Sequence, residues 1–597
     1  MKSAAIAVAC LALAATAAAQ VSTGAQVFRS QCASCHTGQP DSRAPSPDAL
    51  TSRTPQAVIE ALTTGAMRVQ GSKLSGGDRR AVAEYLTGKQ VGDDVLGAAK
   101  GRCTTASAAG ATRGARWSGW SPSPTNSRLQ TTEQAGLAAA DVPRLTLKWA
   151  FGFPDAASAW AQPTVALGRV FVGSQNGTVY SLDASSGCIR WTFSASGGVR
   201  TAITIATIGA RTAAFFGDTG ANAYAIDADT GMKIWSRKVE DHPLARITGS
   251  PTFYDGRLYV PVSSYEEAQG ADPAYGCCTF RGSVSALDAA TGAVIWKTYT
   301  VADTPKPRGR SSAGVDLFGP SGSAIWSAPT IDAKRGALYV ATGNTYSGPP
   351  QPSSDAIVAI DLTSGAIRWM KQATPSDIYI TGCGRSANPN CPETNGPDVD
   401  FGSPPILATT AAGRDLIVIG QKSGVGWAFD PDRQGAVVWQ YRAGEGSALG
   451  GIEWGSAADG ARAYFAVSDI LRPKPGGLHA VSLDSGERAW VAAPAPPKCG
   501  SGRGCNGAQS AALTLLPGVI FSGSNDGALR AYSVSDGSVI WEYDSNRDFE
   551  TVNGIIARGA SMIGPGPAVA GGMLFVNSGY GGFGGRAGNV LLAFGVK

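Results

Sequence analysis

One short phrase is rewritten along this 597-residue chain, and it limits the fold more than anything else in the sequence. It reads VYSLDASSGCIRW ending at Trp191, AYAIDADTGMKIW at Trp235, VSALDAATGAVIW at Trp296 and IVAIDLTSGAIRW at Trp369. An extra residue enters it in GWAFDPDRQGAVVW at Trp439. Two further copies, LHAVSLDSGERAW at Trp490 and LRAYSVSDGSVIW at Trp541, keep the Gly and the Trp but lose the first Asp. An apolar-alternating strand, an Asp-to-Gly turn and a second strand carrying Trp describe a hairpin. Hairpins recurring at this spacing cannot bury their faces alone, so they stack as blades of a four-stranded propeller.

An eighth blade can be assembled from the two ends of the repeat region. LTLKWAFG around Trp149 is a Trp strand with no partner before it, and the terminal NVLLAFGVK is a first strand with nothing after it. Pairing them predicts an all-β eight-bladed propeller over 117–597 and removes two free sheet edges. The uneven Trp spacing puts long insertions on the propeller faces, where sites are built.

The first 19 residues read as a secretory signal: Lys2, an apolar run, then three alanines before Gln20. Cys10 lies inside that run, away from the cleavage point. No later stretch reaches membrane-spanning length, so the chain is expected to be exported, periplasmic or secreted from a bacterium. A net charge of +5 without a basic stripe argues against nucleic acid. Of eleven cysteines, Cys10 and the pair Cys32 and Cys35 stand apart, and eight remain, an even number suited to an oxidising compartment. Proximity suggests Cys383 with Cys391, Cys499 with Cys505, and Cys277 with Cys278; Cys103 and Cys188 are left by elimination.

Residues 20–91 form a small domain around CASCH, Cys32 to His36. Two thiols three apart, followed at once by His, can bond both haem vinyl groups while the imidazole takes one axial iron position. A zinc site would need further Cys or His nearby, and the domain has none. Met67, in the loop-like GAMRVQGSK, is the expected second axial ligand of the haem iron. A final helix, opened by Ser75 and Asp78, is expected to run to Leu86. The arrangement resembles a class I cytochrome c, a small all-α domain. Residues 92–116, rich in Gly, Ala, Ser and Thr, read as a linker.

Within the propeller, IWSAPTIDAKRGALYVATGNTYSG (325–348) resembles the pyrroloquinoline quinone (PQQ) alcohol dehydrogenases, and the likeness extends over essentially all of 149–597. The resemblance implies PQQ and a calcium ion as cofactors, with Trp326 stacking on the quinone and Asn344 holding calcium. It also implies Glu266 as a calcium ligand, with Glu267 adjacent and able to exchange roles. Thr248, Ser263 and Arg200 match cofactor-binding groups, and Trp454, beside Glu453, lies in a site-lining loop. Asp398 matches the catalytic carboxylate and Asp400 a second one two residues on, expected on the opposite face if the strand bends. Lys422 matches the cation beside the quinone oxygens. The vicinal pair Cys277 and Cys278 is expected to bind the cofactor as a ring over it, but the pair occurs a blade later than in those enzymes, so the geometry of that ring cannot be copied from them. The N-terminal cytochrome, YGCCTFRGSV and GPDVDFGSPPIL resemble the polyvinyl alcohol dehydrogenase group most. That resemblance implies oxidation of secondary alcohol groups to ketones on a polymer or related alcohols, with electrons passing through haem c to a soluble cytochrome or another acceptor. Two alternatives stand beside it: a quinohaemoprotein for small primary alcohols, and a scaffold propeller fused to a cytochrome. His242 and His479 read as structural.

Overall fold

The computed structural model describes residues 24–37, 44–51, 55–63, 67–71, 74, 76–88, 100–104, 114–154, 156–383, 388–500 and 504–596. The expected leader 1–19 with Cys10, and the expected helix-opening Ser75, lie outside them. Eight antiparallel sheets follow one another, seven of four strands and one enlarged by a further short strand. In chain order blades 1 to 7 occupy 164–194, 204–238, 252–299, 330–372, 406–442, 457–492 and 514–544. Blade 8 takes three strands from 568–596 and its outermost, Leu145–Gly152, from the start of the ring. That strand pairs with Val590–Val596, as the two chain ends predict.

The repeated phrase survives because its Asp, Gly and Trp serve one joint. Asp361 Oδ1 accepts the main-chain N–H of Thr363 and Ser364 at 3.0 and 2.8 Å, which closes the turn. Gly365 then takes φ 75°, and a Cβ there would stand 2.6 Å from the Trp296 ring of the preceding blade. The same contact joins Gly187 to Trp149, Gly231 to Trp191, Gly292 to Trp235, Gly435 to Trp369, Gly486 to Trp439 and Gly537 to Trp490. Each position therefore needs both a left-handed backbone and no side chain. In the copies without the first Asp, Ser482 and Ser533 hold the turn and the Gly–Trp contact persists. Blade 8 has no such turn, because its hairpin is split between the termini. Its joint is made by Trp541, whose Nε1 donates to Leu145 O at 3.3 Å and whose ring meets Phe594 edge-on.

The apolar core lies between blades, as in the cluster of Phe171 and Trp191 from blade 1 with Phe216 and Tyr224 from blade 2. Residues 117–130 do more than begin the propeller. They cross the inner strands: Trp117 N donates to Val165 O, Leu407 N to Thr125 O, Ala458 N to Ser127 O and Gln130 N to Leu515 O. Arg128, fully buried, donates to the carbonyls of Leu513 and Trp120 and lies over the Trp117 and Trp120 rings.

The small domain packs helices Gly24–Gln31, Pro55–Thr63 and Gly76–Thr87 around Phe28, Ile59, Leu62 and Val82. All four expected disulfides are formed, including Cys103–Cys188. That last bridge shortens the expected linker 92–116. Residues 101–103 exchange main-chain hydrogen bonds with Ile189, so the chain is already fastened to blade 1 there. Among the described residues no helix is long and apolar enough to cross a membrane.

Candidate active site

A cavity of about 390 Å³, counting its open mouth, lies among the loops that connect the inner ends of the blades. Four tryptophans line it: Trp120, Trp160, Trp326 and Trp454. Trp326 and Trp454 meet edge to face, with ring centroids 5.1 Å apart. Gly402 lies against the Trp326 ring so closely that a Cβ would stand 2.3 Å from it. Arg200 places its guanidinium 4.4 Å from the Trp454 ring. Four polar atoms of the lining have no hydrogen-bond partner: Trp120 Nε1, Trp454 Nε1, Ser327 Oγ and Arg200 Nη2. A buried polar atom left unpaired costs about 1–3 kcal/mol, so four in one cavity point to a polar occupant.

Beside the cavity stands a buried charge cluster. Lys422 Nζ lies 2.7 Å from Asp398 Oδ1, 3.2 Å from Asp400 Oδ2 and 5.7 Å from the Trp326 ring. Burial alone would drive the ammonium to lose its proton, but the two aspartates overcome it and hold Lys422 charged. Asp398 has φ 57°, and the main-chain N–H groups of Asp398 and Val399 both donate to Asp377. The segment is therefore a tight loop rather than a strand, and it turns both carboxylates to one ammonium. This corrects the expected opposite facing of Asp398 and Asp400. Asp400 Oδ1 also accepts the Asn344 N–H at 2.9 Å. The Asn344 amide nitrogen donates to Thr345 O and Tyr379 O, which leaves Oδ1 as the side-chain atom able to accept a hydrogen bond or coordinate a cation.

The structure separates Glu266 from Glu267. Glu266 is fully buried and turned away, accepting from Thr279 N and Phe280 N at 2.8 and 2.7 Å and from the Tyr275 hydroxyl. His242 Nε2 lies 3.4 Å from it, so both residues belong to one structural knot. Glu267 is the neighbour that reaches the cluster. Burial, then Asp400, push its carboxyl up to about 7, and Thr381 Oγ1 donates to it at 3.0 Å. Glu266 is thus committed to this knot, and of the two adjacent glutamates Glu267 is the one whose acidity the cluster shifts. The sequence signal was only the doubled Glu; a one-residue helical step decides which one faces inward. Cys277 and Cys278 are both buried and neither lines this cavity. Thr248 lines it and shares a 2.8 Å hydrogen bond with Ser263 behind it. Trp120, Trp160 and Asp377 were not foreseen, because they lie outside the repeats and outside the quoted motifs.

In the small domain neither Cys32 nor Cys35 is in a disulfide. His36 Nδ1 lies 2.7 Å from Pro45 O, which fixes Nδ1 as the donor and leaves Nε2 for a metal. Met67 packs against the domain core and heads a short helix, Arg68–Gly71, rather than lying in open loop.

Comparison with known proteins now decides the family. The model PQQ_2, described as outer membrane protein assembly factor BamB, matches residues 87–319, 280–503 and 474–595. A cytochrome model, described as cytochrome c oxidase, cbb3-type, subunit III, matches residues 19–86. The chain is 40% identical to polyvinylalcohol dehydrogenase from a Pseudomonas species, covering 96% of this chain and 93% of the relative. It is 39% identical to polyvinylalcohol dehydrogenase from Sphingopyxis sp. (strain 113P3), covering 96% and 92%. The chain belongs to the polyvinyl alcohol dehydrogenase family. It is therefore a PQQ-dependent quinohaemoprotein dehydrogenase, and the scaffold alternative lapses. The structure of quinohemoprotein alcohol dehydrogenase from Comamonas testosteroni shares the fold, with TM-score 0.59 and 19% identity over 82% of this chain and 81% of that one. A europium-containing methanol dehydrogenase also shares it, with TM-score 0.58 and 16% identity over 81% and 99%.

The residues present fit the cofactors of a polyvinyl alcohol dehydrogenase. The unpaired polar atoms and the flat Trp326 face suit a planar, carboxylate-bearing quinone. The CxxCH cysteines and the oriented His36 suit covalent haem c. Glu267, Asn344, Asp398 and Asp400 supply hard oxygen atoms, and three carboxylates against one ammonium leave a net charge of about −2, so in donor chemistry, though not in a convergence already formed, they suit a divalent cation. Among the described residues no three Asp, Glu, His or Cys groups converge into a ready metal site.

Proposed function

We propose that the protein oxidises secondary alcohol groups, of a polyvinyl-alcohol-like polymer or related alcohols, to ketones in the bacterial periplasm or outside the cell. The observation carrying this reading is the buried Asp398–Lys422–Asp400 cluster beside a Trp-walled cavity, in a chain similar over nearly its full length to two polyvinylalcohol dehydrogenases. When bound, PQQ supplies a two-electron acceptor for hydrogen from carbon, the cation a Lewis acid, and haem c a one-electron outlet.

This chain's residues supply the rest. Asp398 accepts the alcohol hydroxyl proton at its carboxylate. Lys422 stays charged and stabilises negative charge developing beside it. Trp326 orients a flat ring, while Trp454 and Trp160 narrow the cavity and exclude water. Arg200, Thr248 and Ser263 would meet cofactor polar groups, and Glu267 and Asn344 would hold calcium. His36 and Met67 would hold the haem iron, with Cys32 and Cys35 bonded to the haem; a soluble cytochrome or another acceptor takes the electrons onward.

The test is alcohol-dependent haem reduction by protein reconstituted with PQQ and calcium. Polyvinyl alcohol and pentane-2,4-diol should reduce haem faster than primary alcohols of equal length. Preference for primary alcohols would replace this substrate reading with that of a small-alcohol enzyme.

A further inference from the structure

Glu453 is a buried carboxylate to which the scheme above gives no task. It is 3% exposed and precedes Trp454 in the loop between blades 5 and 6. Its main chain stands behind the cavity wall, which its neighbour Trp454 and the facing Gly402 line. Ser403 Oγ donates to its carbonyl at 2.9 Å, and a Cβ at Gly402 would stand 3.0 Å from that carbonyl oxygen. Among the described residues its carboxylate has no hydrogen bond and no ion pair within 4 Å. The charged groups around it are Lys422, Arg200 and, opposing them, the like-charged Asp400. Burial, against the pull of both cations, pushes its carboxyl up to about 7. A group of that acidity can take or give a proton readily near neutral pH.

Its outer side is thin. Gly450, at φ 89°, lies so close that a Cβ would stand 3.0 Å from Glu453 Oε2. Beyond it the loop 445–449 reaches solvent at Glu445. The carboxylate therefore sits between Trp454, which lines the cavity, and Gly450, a buried glycine that closes the half-exposed turn 447–449.

The reaction needs a group in such a place. Oxidising one secondary alcohol to its ketone releases two protons and two electrons. Asp398 takes the proton from oxygen. The hydrogen on carbon leaves with both electrons, and it remains as a second proton once those electrons have passed singly to haem c. Asp398 cannot serve that proton as well until it has released the first.

We propose that Glu453 is the carrier of this second proton, taking it up as electrons leave for the haem and releasing it to solvent past Gly450. The inference rests on the proposed function and goes beyond it by separating the two proton exits. Stopped-flow measurement on the holoenzyme resolves loss of the oxidised-quinone absorbance by alcohol from the haem reduction that follows. Glu453→Gln should leave the first step within about twofold, slow the second by about 100-fold, and flatten its dependence over about pH 6–8. Glu453→Asp should restore that dependence. In protein free of quinone and metal, infrared difference spectra over the same range should show a titrating carboxyl band, absent in Glu453→Gln. Native haem reduction with a native pH profile in Glu453→Gln would overturn the proposal, as would slowing of the first step alone. So would an unchanged infrared band. If native protein never binds PQQ, the proposed function fails first, and the reconstitution shows it separately.

Discussion

The rim of the propeller and the loops over its axis solve different problems with the same chain. At the rim one joint is repeated, and a Cβ on each turn glycine would stand 2.6–2.8 Å from the preceding blade's Trp. Over the axis no one residue repeats: Glu267, Asn344, Asp398, Lys422 and Glu453 each come from a different loop. The rim tolerates loss of its Asp, as Ser482 and Ser533 show, because Gly and Trp carry the packing. The axial cluster has no spare copy, so a single atom there can decide chemistry while leaving the ring intact. Stability is thus distributed around the ring and function is concentrated at one point.

The largest effect should come from the axis. Asp398→Asn keeps the shape and most hydrogen bonding but removes the proton acceptor facing Lys422. Single-turnover haem reduction should fall by about 10²–10⁴-fold with PQQ retained. Asp400→Asn should act differently, through the Asn344 N–H that Asp400 holds, and should weaken cation binding first. Retention of native turnover in both variants would move the chemistry to another loop.

Next comes the contrast between adjacent glutamates. Glu267→Gln should weaken calcium binding by at least the roughly 10–100-fold that loss of a supporting residue in a metal site costs, with the thermal midpoint of the metal-free protein unchanged. Glu266→Gln should do the reverse. It removes a charged acceptor from Thr279 N and Phe280 N, hydrogen bonds worth about 1.5–3 kcal/mol, so the midpoint should fall. Calorimetry of the two metal-free variants, followed by calcium titration, separates the roles.

A smaller effect tests the rim. Gly365 and Gly413 both have positive φ, but only Gly365 faces a Trp ring, and a Cβ at Gly413 would meet nothing within 4 Å. Gly413→Ala should cost about 1–2 kcal/mol from backbone strain alone. Gly365→Ala should lose a further 1–3 kcal/mol or so from overpacking against Trp296. Equal losses in urea unfolding would mean that the Gly–Trp contact adds nothing beyond the turn.

The same contrast explains what could be read from the sequence. The ring was legible, down to its closure by Leu145–Gly152, because periodic residues report local geometry and nearest neighbours. The CxxCH site was legible because its chemistry is contiguous. The axial site was legible only in part. Trp326, Asn344, Asp398 and Lys422 stand in recognisable phrases, but the choice between Glu266 and Glu267 depends on one turn of the short helix 266–269. The facing of Asp398 and Asp400 depends on a left-handed residue held by Asp377, more than twenty positions upstream. Trp120 enters the cavity wall because 117–130 crosses the inner strands, and no period announces that crossing.

The smallest expected effect belongs to the rim and separates it from the axis by pH. His479 lies in the strand Leu478–Ser482 of blade 6, a repeat position outside the axial loops. Burial first, then the Arg488 cation, push its imidazole down to about 4, against a weaker opposite pull from Asp469. Tyr441 Oη lies 2.9 Å from His479 Nδ1, a contact a neutral ring satisfies by accepting the hydroxyl proton. The folded state therefore holds the ring neutral. Above about pH 6.5 folded and unfolded chains agree, and the full stability is present. As pH falls toward 4 the unfolded chain binds a proton that the folded one refuses, so stability is lost across that window and no further below it. The shift sets a ceiling of about 3 kcal/mol, and partial exposure of the ring reduces the expected loss to about 1 kcal/mol. His479→Gln should flatten the acid limb of urea-unfolding stability between about pH 6.5 and 4 by that amount. It should leave the pH profile of haem reduction untouched, since that profile belongs to the axial loops. A changed turnover profile in this variant would mean that blade packing and axial chemistry are coupled, and the separation of rim from axis would fail.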